Sequence, residues 1–341
     1  MKTIFAVDDS DVNLTKAKQS LTEHYRVLTM SSAEKMFTLL EKITPDLILL
    51  DIEMPEMDGF TALQKLMDDE HTANIPVMFL TASTDDEVEA RGFELGAVDF
   101  VVKPFSKSVL LNRIATHLRI DEIIKKRTTR MRKLQNGMIM VIAAFVENRD
   151  KLTGGHIERT SMYLKLMIDE MLAKDVYAEE IKTWKIDTVV FSARLHDVGK
   201  IKIPDLILNK PAKLTPEEFE VMRTHALEGE NIIDQVTAIT GEGWFLHHAK
   251  LFAGYHHERW NGGGYPHDIK GMEIPLQGRI MAVVDVYDAL ISERPYKKAF
   301  THDEAEQIIK NDAGKAFDPA IVDVFLGLKD SFVEVAKSYE V

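Results

Sequence analysis

Along the first third of the chain, short unbroken apolar runs alternate with stretches whose apolar residues recur at helical spacing. The runs are Ile4–Val7, Leu47–Leu50, Val77–Leu80 and Phe100–Val102. A strand with one wet face would alternate polar and apolar residues. A strand apolar throughout is buried on both faces, as in a parallel sheet covered by helices. Each run ends in a polar residue: Asp8, Asp51, Thr81 and Lys103. In an open α/β sheet the site lies at the carboxyl ends of the strands. The pattern therefore predicts an α/β domain over 1–118 that aims these four groups at one edge. Asp8, Asp9 and Asp51 would repel one another there without a cation, and an all-oxygen set suits Mg²⁺. Thr81 is placed to donate a hydroxyl hydrogen bond and Lys103 to neutralise a phosphoryl oxygen.

After residue 118 the period changes. Residues 119–145 predict a helix with a heptad seam. Positions 117, 124, 131, 138 and 145 carry His, Ile, Met, Met and Phe, and positions 120, 127, 134 and 141 carry Ile, Arg, Leu and Val. Such a seam fits an amphipathic helix packed on its own domain, and equally a parallel dimer coil joining two domains. From about 140 to 330 the pattern is helical with no convincing strand, and the polar, glycine-rich stretch 261–278 is the main loop.

With 341 residues, 45% hydrophobic and 28% charged, the chain has room for two or three globular domains. It holds no apolar run long enough to span a membrane and its start does not read as a signal peptide, so a cytoplasmic protein without membrane insertion is expected. Cysteine is absent, which excludes disulfides, thiolate metal sites and a cysteine nucleophile. Any metal must be held by carboxylates and by some of the twelve histidines. A net charge of −13 argues against DNA as the main ligand.

The helical part carries the second constellation. LHDVGK places His196, Asp197 and Lys200 inside a helix-like apolar run, where unpaired charge is costly. Partners lie along the chain: His156 in TGGHIERT, His225 in MRTHALEG, His256 and His257 in GYHHERWNGGGYP, and Asp285 in VVDVYDAL. Imidazoles and carboxylates together suit divalent iron, manganese or nickel, and zinc as well. Five histidines and two aspartates are too many for one ion. They suit two ions bridged by a carboxylate, about 3.5–4 Å apart, with Asp197 best placed to bridge. Such a pair activates a shared water and neutralises a phosphoryl oxygen. Lys200, one turn beyond His196, can hold a phosphate oxygen. The glycine run at 262–264 reads as a place where backbone approaches the ligand, with Tyr265 and Pro266 at the rim. Trp260 fits either base stacking or packing, and His247 and His248 read as bystanders.

Two resemblances follow. VDDS, LILLDIEMP, FLTAS and DFVVKPF make residues 1–118 similar to response-regulator receiver domains. That likeness implies a flavodoxin-like parallel five-stranded sheet, phosphorylation of Asp51 by a cognate sensor histidine kinase, and Mg²⁺ held by Asp8, Asp9 and Asp51. It further implies switching through Thr81, Phe100 and Lys103. TGGHIER, LHDVGKIKIPDLIL, HHERWNGGGYP, DVYDAL, ERPYKKA and AFDP make the chain from about 140 to 325 resemble the HD-GYP phosphodiesterases, an all-helical branch of the HD superfamily. This likeness implies a multidomain α/β plus all-α protein: a receiver at 1–118, a helical linker and candidate dimer coil at 119–145, and a phosphohydrolase domain at 146–341. It implies hydrolysis of cyclic di-GMP to linear pGpG or GMP. Asp197 and Lys200 would be catalytic. His156, His196, Asp197, His225, His256, His257 and Asp285 would be the metal ligands. Lys200, Arg294, Lys297 and Tyr265 would contact substrate. Some members use a glutamate four residues before the first ligand histidine for a third metal. Here that position is Leu152, with Glu147 and Asp150 at the wrong spacing, so two metals are expected. A cyclic GMP–AMP dinucleotide as substrate, or a receptor role without turnover, are the alternatives. A homodimer is expected.

Overall fold

The computed structural model describes residues 1–150, 155–241, 243–293 and 298–339. The chain divides into two compact units, Met1–Lys133 and Leu134–Val341. The first is a parallel sheet of five strands, β1 (Thr3–Val7), β2 (Arg26–Met30), β3 (Leu47–Asp51), β4 (Val77–Thr81) and β5 (Asp99–Val102), in the order β2-β1-β3-β4-β5. Helices α1 (Asp11–Leu21), α2 (Ala33–Leu40), α3 (Gly59–Asp68) and α4 (Asp86–Glu94) connect them. Alternate side chains of each strand enter opposite cores. Ile4, Leu47, Leu49, Met78 and Leu80 pack with Leu14, Leu110 and Ile114. Phe5, Ile48, Leu50, Val77 and Phe79 pack with Met36, Phe60 and Leu63. Burial on both faces is why the runs are continuously apolar. Strand β2 has no such run. It lies at the sheet edge with Arg26 exposed and Leu28 and Thr29 half-buried, so its sequence needs less apolarity.

The helix expected at 119–145 is part of a longer one, α5 (Lys107–Arg149), of 43 residues. Its start packs in the core of the first unit through Leu110, Ile114 and Leu118. Its end contributes Ile139 to a core of the second unit with Leu195, Val198, Ile233, Ala249 and Ala253. Between these anchors the heptad seam is exposed: Ile124, Met131, Leu134 and Met138 are each more than half accessible.

The second unit is helical, with α6 (His156–Ala173), α7 (Ala178–Ile181), α8 (Ile186–Ser192), α9 (Asp205–Leu208), α10 (Pro216–Thr240), α11 (Trp244–Tyr255), α12 (Leu276–Ile291), α13 (His302–Asn311), α14 (Pro319–Gly327) and α15 (Lys329–Ser338). Its main core joins α6, α12, α14 and α15, with Tyr163 stacked on Phe332 at 4.4 Å. Among the described residues no helix is long and apolar enough to cross a membrane.

Candidate metal centre and phosphoacceptor site

LHDVGK is not an α-helix. His196 and Asp197 form a turn between two short 3₁₀ segments, Ala193–Leu195 and Val198–Lys202. Gly199 is the reason. A Cβ there would lie 1.9 Å from the His225 carbonyl oxygen and 2.4 Å from the Gly229 nitrogen. Backbone therefore presses on backbone, and Asp197 is carried against α10. His256 and His257 likewise lie just past the end of α11, while His156 opens α6 and Asp285 lies within α12. Helix ends and a turn, rather than helix faces, deliver most of the set.

The side chains converge in two groups of three: His156, His196 and Asp285, and His225, His256 and His257. Within each group one ligand atom per residue lies within 4.8 Å of the others. Three imidazoles have their tautomer set by backbone. His196 Nδ1 donates to Ala193 O at 2.9 Å, His225 Nδ1 to Met222 O at 2.7 Å and His256 Nδ1 to Phe252 O at 2.9 Å. A carbonyl only accepts, so the proton sits on Nδ1 and the Nε2 lone pair faces inward. The Nε2 atoms of the set crowd together. His156 and His196 Nε2 are 3.3 Å apart, His225 and His256 3.4 Å, His225 and His257 3.1 Å. Burial pushes His225 and His256 down to about 4, and holds His196 and His257 low as well. Neutral bases facing one another are what a cation needs. The donor set thus fits a divalent metal in each group.

Asp197 lies between the groups. Its Oδ2 is 3.5 Å from His196 Nε2, and its Oδ1 is 3.4 Å from His225 Nε2 and 3.8 Å from His256 Nε2. One carboxylate oxygen faces each group. Burial works against its charge, but Lys200 and the imidazoles hold its carboxyl well below the usual range. Lys200 Nζ sits 2.7 Å from Asp197 Oδ2 and 2.9 Å from Asp150 Oδ2; burial opposes its charge, and the two carboxylates hold it firmly protonated.

His156 differs from the others. Its Nδ1 meets Asp288 Oδ2 at 2.8 Å, and Arg159 grips Asp288 with Nε at 2.7 Å and Nη2 at 2.8 Å. Burial alone would lower the His156 pKa, but Asp288 and Asp285 raise it. Asp288 and Arg159 escaped the sequence reading. The available signal was spacing: Asp288 follows Asp285 by three residues on α12, and Arg159 follows His156 by three on α6. Glu147 and Asp150, at the wrong spacing for a third metal, have other partners: Glu147 accepts from the backbone of His156, and Asp150 holds Lys200.

A cavity of about 380 Å³ opens over the centre, lined among others by Asp197, Lys200, Lys213, Phe219, Tyr265 and Asp285. The Tyr265 ring packs 4.7 Å from His257 and under the Arg223 guanidinium. Within the glycine run, Gly264 is needed for a contact inside the protein. A Cβ there would meet Glu258 Cα at 2.5 Å, so the backbone close approach at this glycine is to the HHER segment. Trp260 packs near Arg279 and does not line the cavity. His248 is buried beside Trp184 and Trp244, with Nδ1 accepting from Gln277, and His247 lines a separate cavity. Leu152, Arg294 and Lys297 lie outside the described residues.

In the first unit Asp8, Asp9 and Asp51 form a third such group at the sheet edge. Lys103 Nζ lies 2.7 Å from both Asp8 Oδ2 and Asp51 Oδ1. Burial raises the Asp51 carboxyl, Lys103 opposes that, and Asp8 adds to it. The Thr81 hydroxyl accepts from Ser83 N at 2.9 Å. Phe100 is buried between Phe79 and Phe93, at 5.3 and 5.0 Å.

A parallel five-stranded domain with an acidic edge, followed by a helical domain built around a histidine–aspartate pair, defines the class. The response regulator receiver domain family matches residues 4–115 and the HD domain family residues 141–321. The chain belongs to the response regulators that join a receiver to an HD domain. It is similar to a Vibrio cholerae protein named "Probable cyclic di-GMP phosphodiesterase", 40% identical over 99% of this chain and 80% of the relative. It is 32% identical to a Thermotoga maritima cyclic di-GMP phosphodiesterase over 98% of this chain and 92% of that one. A 3'3'-cGAMP-specific phosphodiesterase 2 of Vibrio cholerae is 33% identical over 61% of this chain and 37% of its own length.

Proposed function

We propose that the protein is a metal-dependent phosphodiesterase that opens cyclic di-GMP and is regulated by phosphorylation of Asp51. The observation that carries this is the placement of Asp197, with one oxygen toward each three-donor group and Lys200 beside it, under an open cavity. The naming of full-length relatives supports the substrate. Two divalent ions of iron, manganese or nickel, or of zinc, held by His156, His196, Asp197, His225, His256, His257 and Asp285, would supply an activated water and neutralise phosphoryl charge. The chain's own residues do the rest. Lys200 holds a phosphate oxygen as a point charge, and Tyr265 borders the ring-shaped substrate. Arg294 and Lys297 are assigned to substrate by motif alone. The product is linear pGpG, GMP or both. A sensor histidine kinase would phosphorylate Asp51 with Mg²⁺ on Asp8, Asp9 and Asp51. The exposed α5 seam supports a homodimer.

The test is hydrolysis of cyclic di-GMP by protein loaded with iron, manganese or nickel, with products separated by chromatography. No turnover with any of them would overturn the reading. Because one relative is named for 3'3'-cGAMP, cyclic GMP–AMP is the second substrate to assay, by single turnover beside cyclic di-GMP.

A further inference from the structure

The last turns of α5 are built into the site. Arg149 spreads its guanidinium over the backbone that carries Lys200. Nη1 donates to Lys200 O at 3.0 Å and Ile201 O at 2.7 Å, Nη2 to Ile203 O at 2.6 Å, and Nε to Asp205 Oδ1 at 2.9 Å. Asn209 closes the loop by donating to Arg149 O at 3.0 Å. These carbonyls belong to or border a short 3₁₀ segment, and the Lys200 carbonyl also accepts from Ile203 N at 3.1 Å. The next residue, Asp150, holds the Lys200 ammonium. Both ends of Lys200, backbone and ammonium, are therefore held by the last residue of α5 and the residue that follows it. Glu147, one half-turn earlier, accepts from His156 N at 2.7 Å and Ile157 N at 3.4 Å. It serves the free N–H groups of α6, whose N-cap is Gly155 and has no side chain to do so.

We propose that Arg149 is a positioning residue that couples the setting of α5 to Lys200, so that the HD-domain site reads the rotation or shift of the helix that begins in the receiver. The physical basis is continuity. A single helix has one end packed in the receiver core through Leu110, Ile114 and Leu118, and the other bonded to the 200–203 backbone. A change at the first end that turns or slides the helix moves the carbonyl acceptors of Arg149, and with them the phosphate-holding ammonium. A misplacement of about 1 Å in a positioned group can cost on the order of 100-fold in rate. Arginine is required because its planar fork reaches several carbonyls at once, which a lysine cannot do. This inference rests on the phosphodiesterase reading for the role of Lys200.

The experiment uses the full chain as Arg149→Met and Arg149→Lys, each with and without beryllofluoride on the receiver. The readouts are kcat and KM on cyclic di-GMP, cleavage of bis(p-nitrophenyl) phosphate, and metal content by mass spectrometry. Arg149→Met is expected to lower kcat roughly 10- to 100-fold, with bound metal unchanged and the beryllofluoride response abolished. Arg149→Lys is expected to fold as wild type, retain metal and lose most of the response. If Arg149→Met does not fold, Arg149→Lys decides. A one-residue insertion after Arg130, which turns the helix by about 100°, should abolish the response. A seven-residue insertion, close to two full turns, should keep it. Wild-type kcat and response in Arg149→Lys, or equal behaviour of the two insertions, would overturn the proposal. Failure of the wild type on cyclic di-GMP alongside an Arg149-dependent cleavage of the simple diester would overturn the substrate reading instead.

Discussion

Asp288 shows how one residue outside a ligand set governs it. Its carboxylate fixes the Nδ1 proton of His156 and is itself held by Arg159. Asp288→Asn removes the charge that orients the ring, and metal affinity is expected to fall about 10- to 100-fold. Competition of the protein against a chelator of known affinity measures this. Asp197→Ala is expected to lose turnover and part of the bound metal together, since each of its oxygens faces a different group; product analysis and metal analysis on the same sample check both. Gly199→Ala tests the close approach. A Cβ 1.9 Å from the His225 carbonyl oxygen has no room, so the Asp197 turn must leave α10. A loss of about 3 kcal/mol, the upper end of ordinary overpacking, is expected in urea unfolding.

Among elements, α14 is secured by a buried ion pair. Asp318 accepts from Arg279 at 2.8 Å, from Tyr177 at 2.8 Å and, as N-cap, from Ala320 N at 2.9 Å. Asp318→Ala leaves Arg279 buried without its counter-charge, and a loss of about 3–5 kcal/mol is expected, read from the denaturation midpoint. AFDP, a motif that reads from sequence as a family mark, thus has a structural use. In the receiver, Asp99 ties β5 to α5 by meeting Arg113 at 2.6 Å and His117 at 3.0 Å. Burial would raise its carboxyl, but Arg113, the Phe100 N–H and His117 lower it below the usual value. A depressed carboxyl stabilises the fold above the unfolded pKa and loses that contribution as pH falls through the folded one. Asp99→Asn should therefore be less stable than wild type at neutral pH. The gap should narrow once the pH falls below about 3.9 and close as Asp99 takes up its proton. Parallel acid titrations followed by circular dichroism would show it.

At the scale of the whole molecule, and among the described residues, α5 contributes to one core of each unit. Its exposed seam, with Met131 at 66% and Leu134 at 58% accessible, leaves apolar surface in solvent along several turns. Sustained spacing of this kind is buried most directly by a second copy of the same helix. The proposed homodimer predicts that the wild type sediments as a dimer and Met131→Glu with Leu134→Glu as a monomer with a lowered response to receiver phosphorylation. An unchanged dimer would place the contact elsewhere.

Local chemistry alone determined a good deal about this protein. Strands buried on both faces must be apolar throughout, so the inner strands and their polar ends could be read directly, and the unusual His and Asp content of the helical part named its own candidates. Strand β2 was not legible, because with Arg26 exposed and Leu28 and Thr29 half-buried it carries no unbroken apolar run, whereas β5 at the other edge does. Nor was the turn at His196-Asp197, because it is set by the contact of Gly199 with α10, remote in the chain. The sharing of Asp197 between two groups, the hold of Asp288 on His156, and the grip of Arg149 on the Lys200 backbone were likewise decided only in three dimensions. Each depends on which distant atoms come within a few ångströms, and hydrogen bonds and ligand fields are short-ranged in space while being indifferent to distance along the chain.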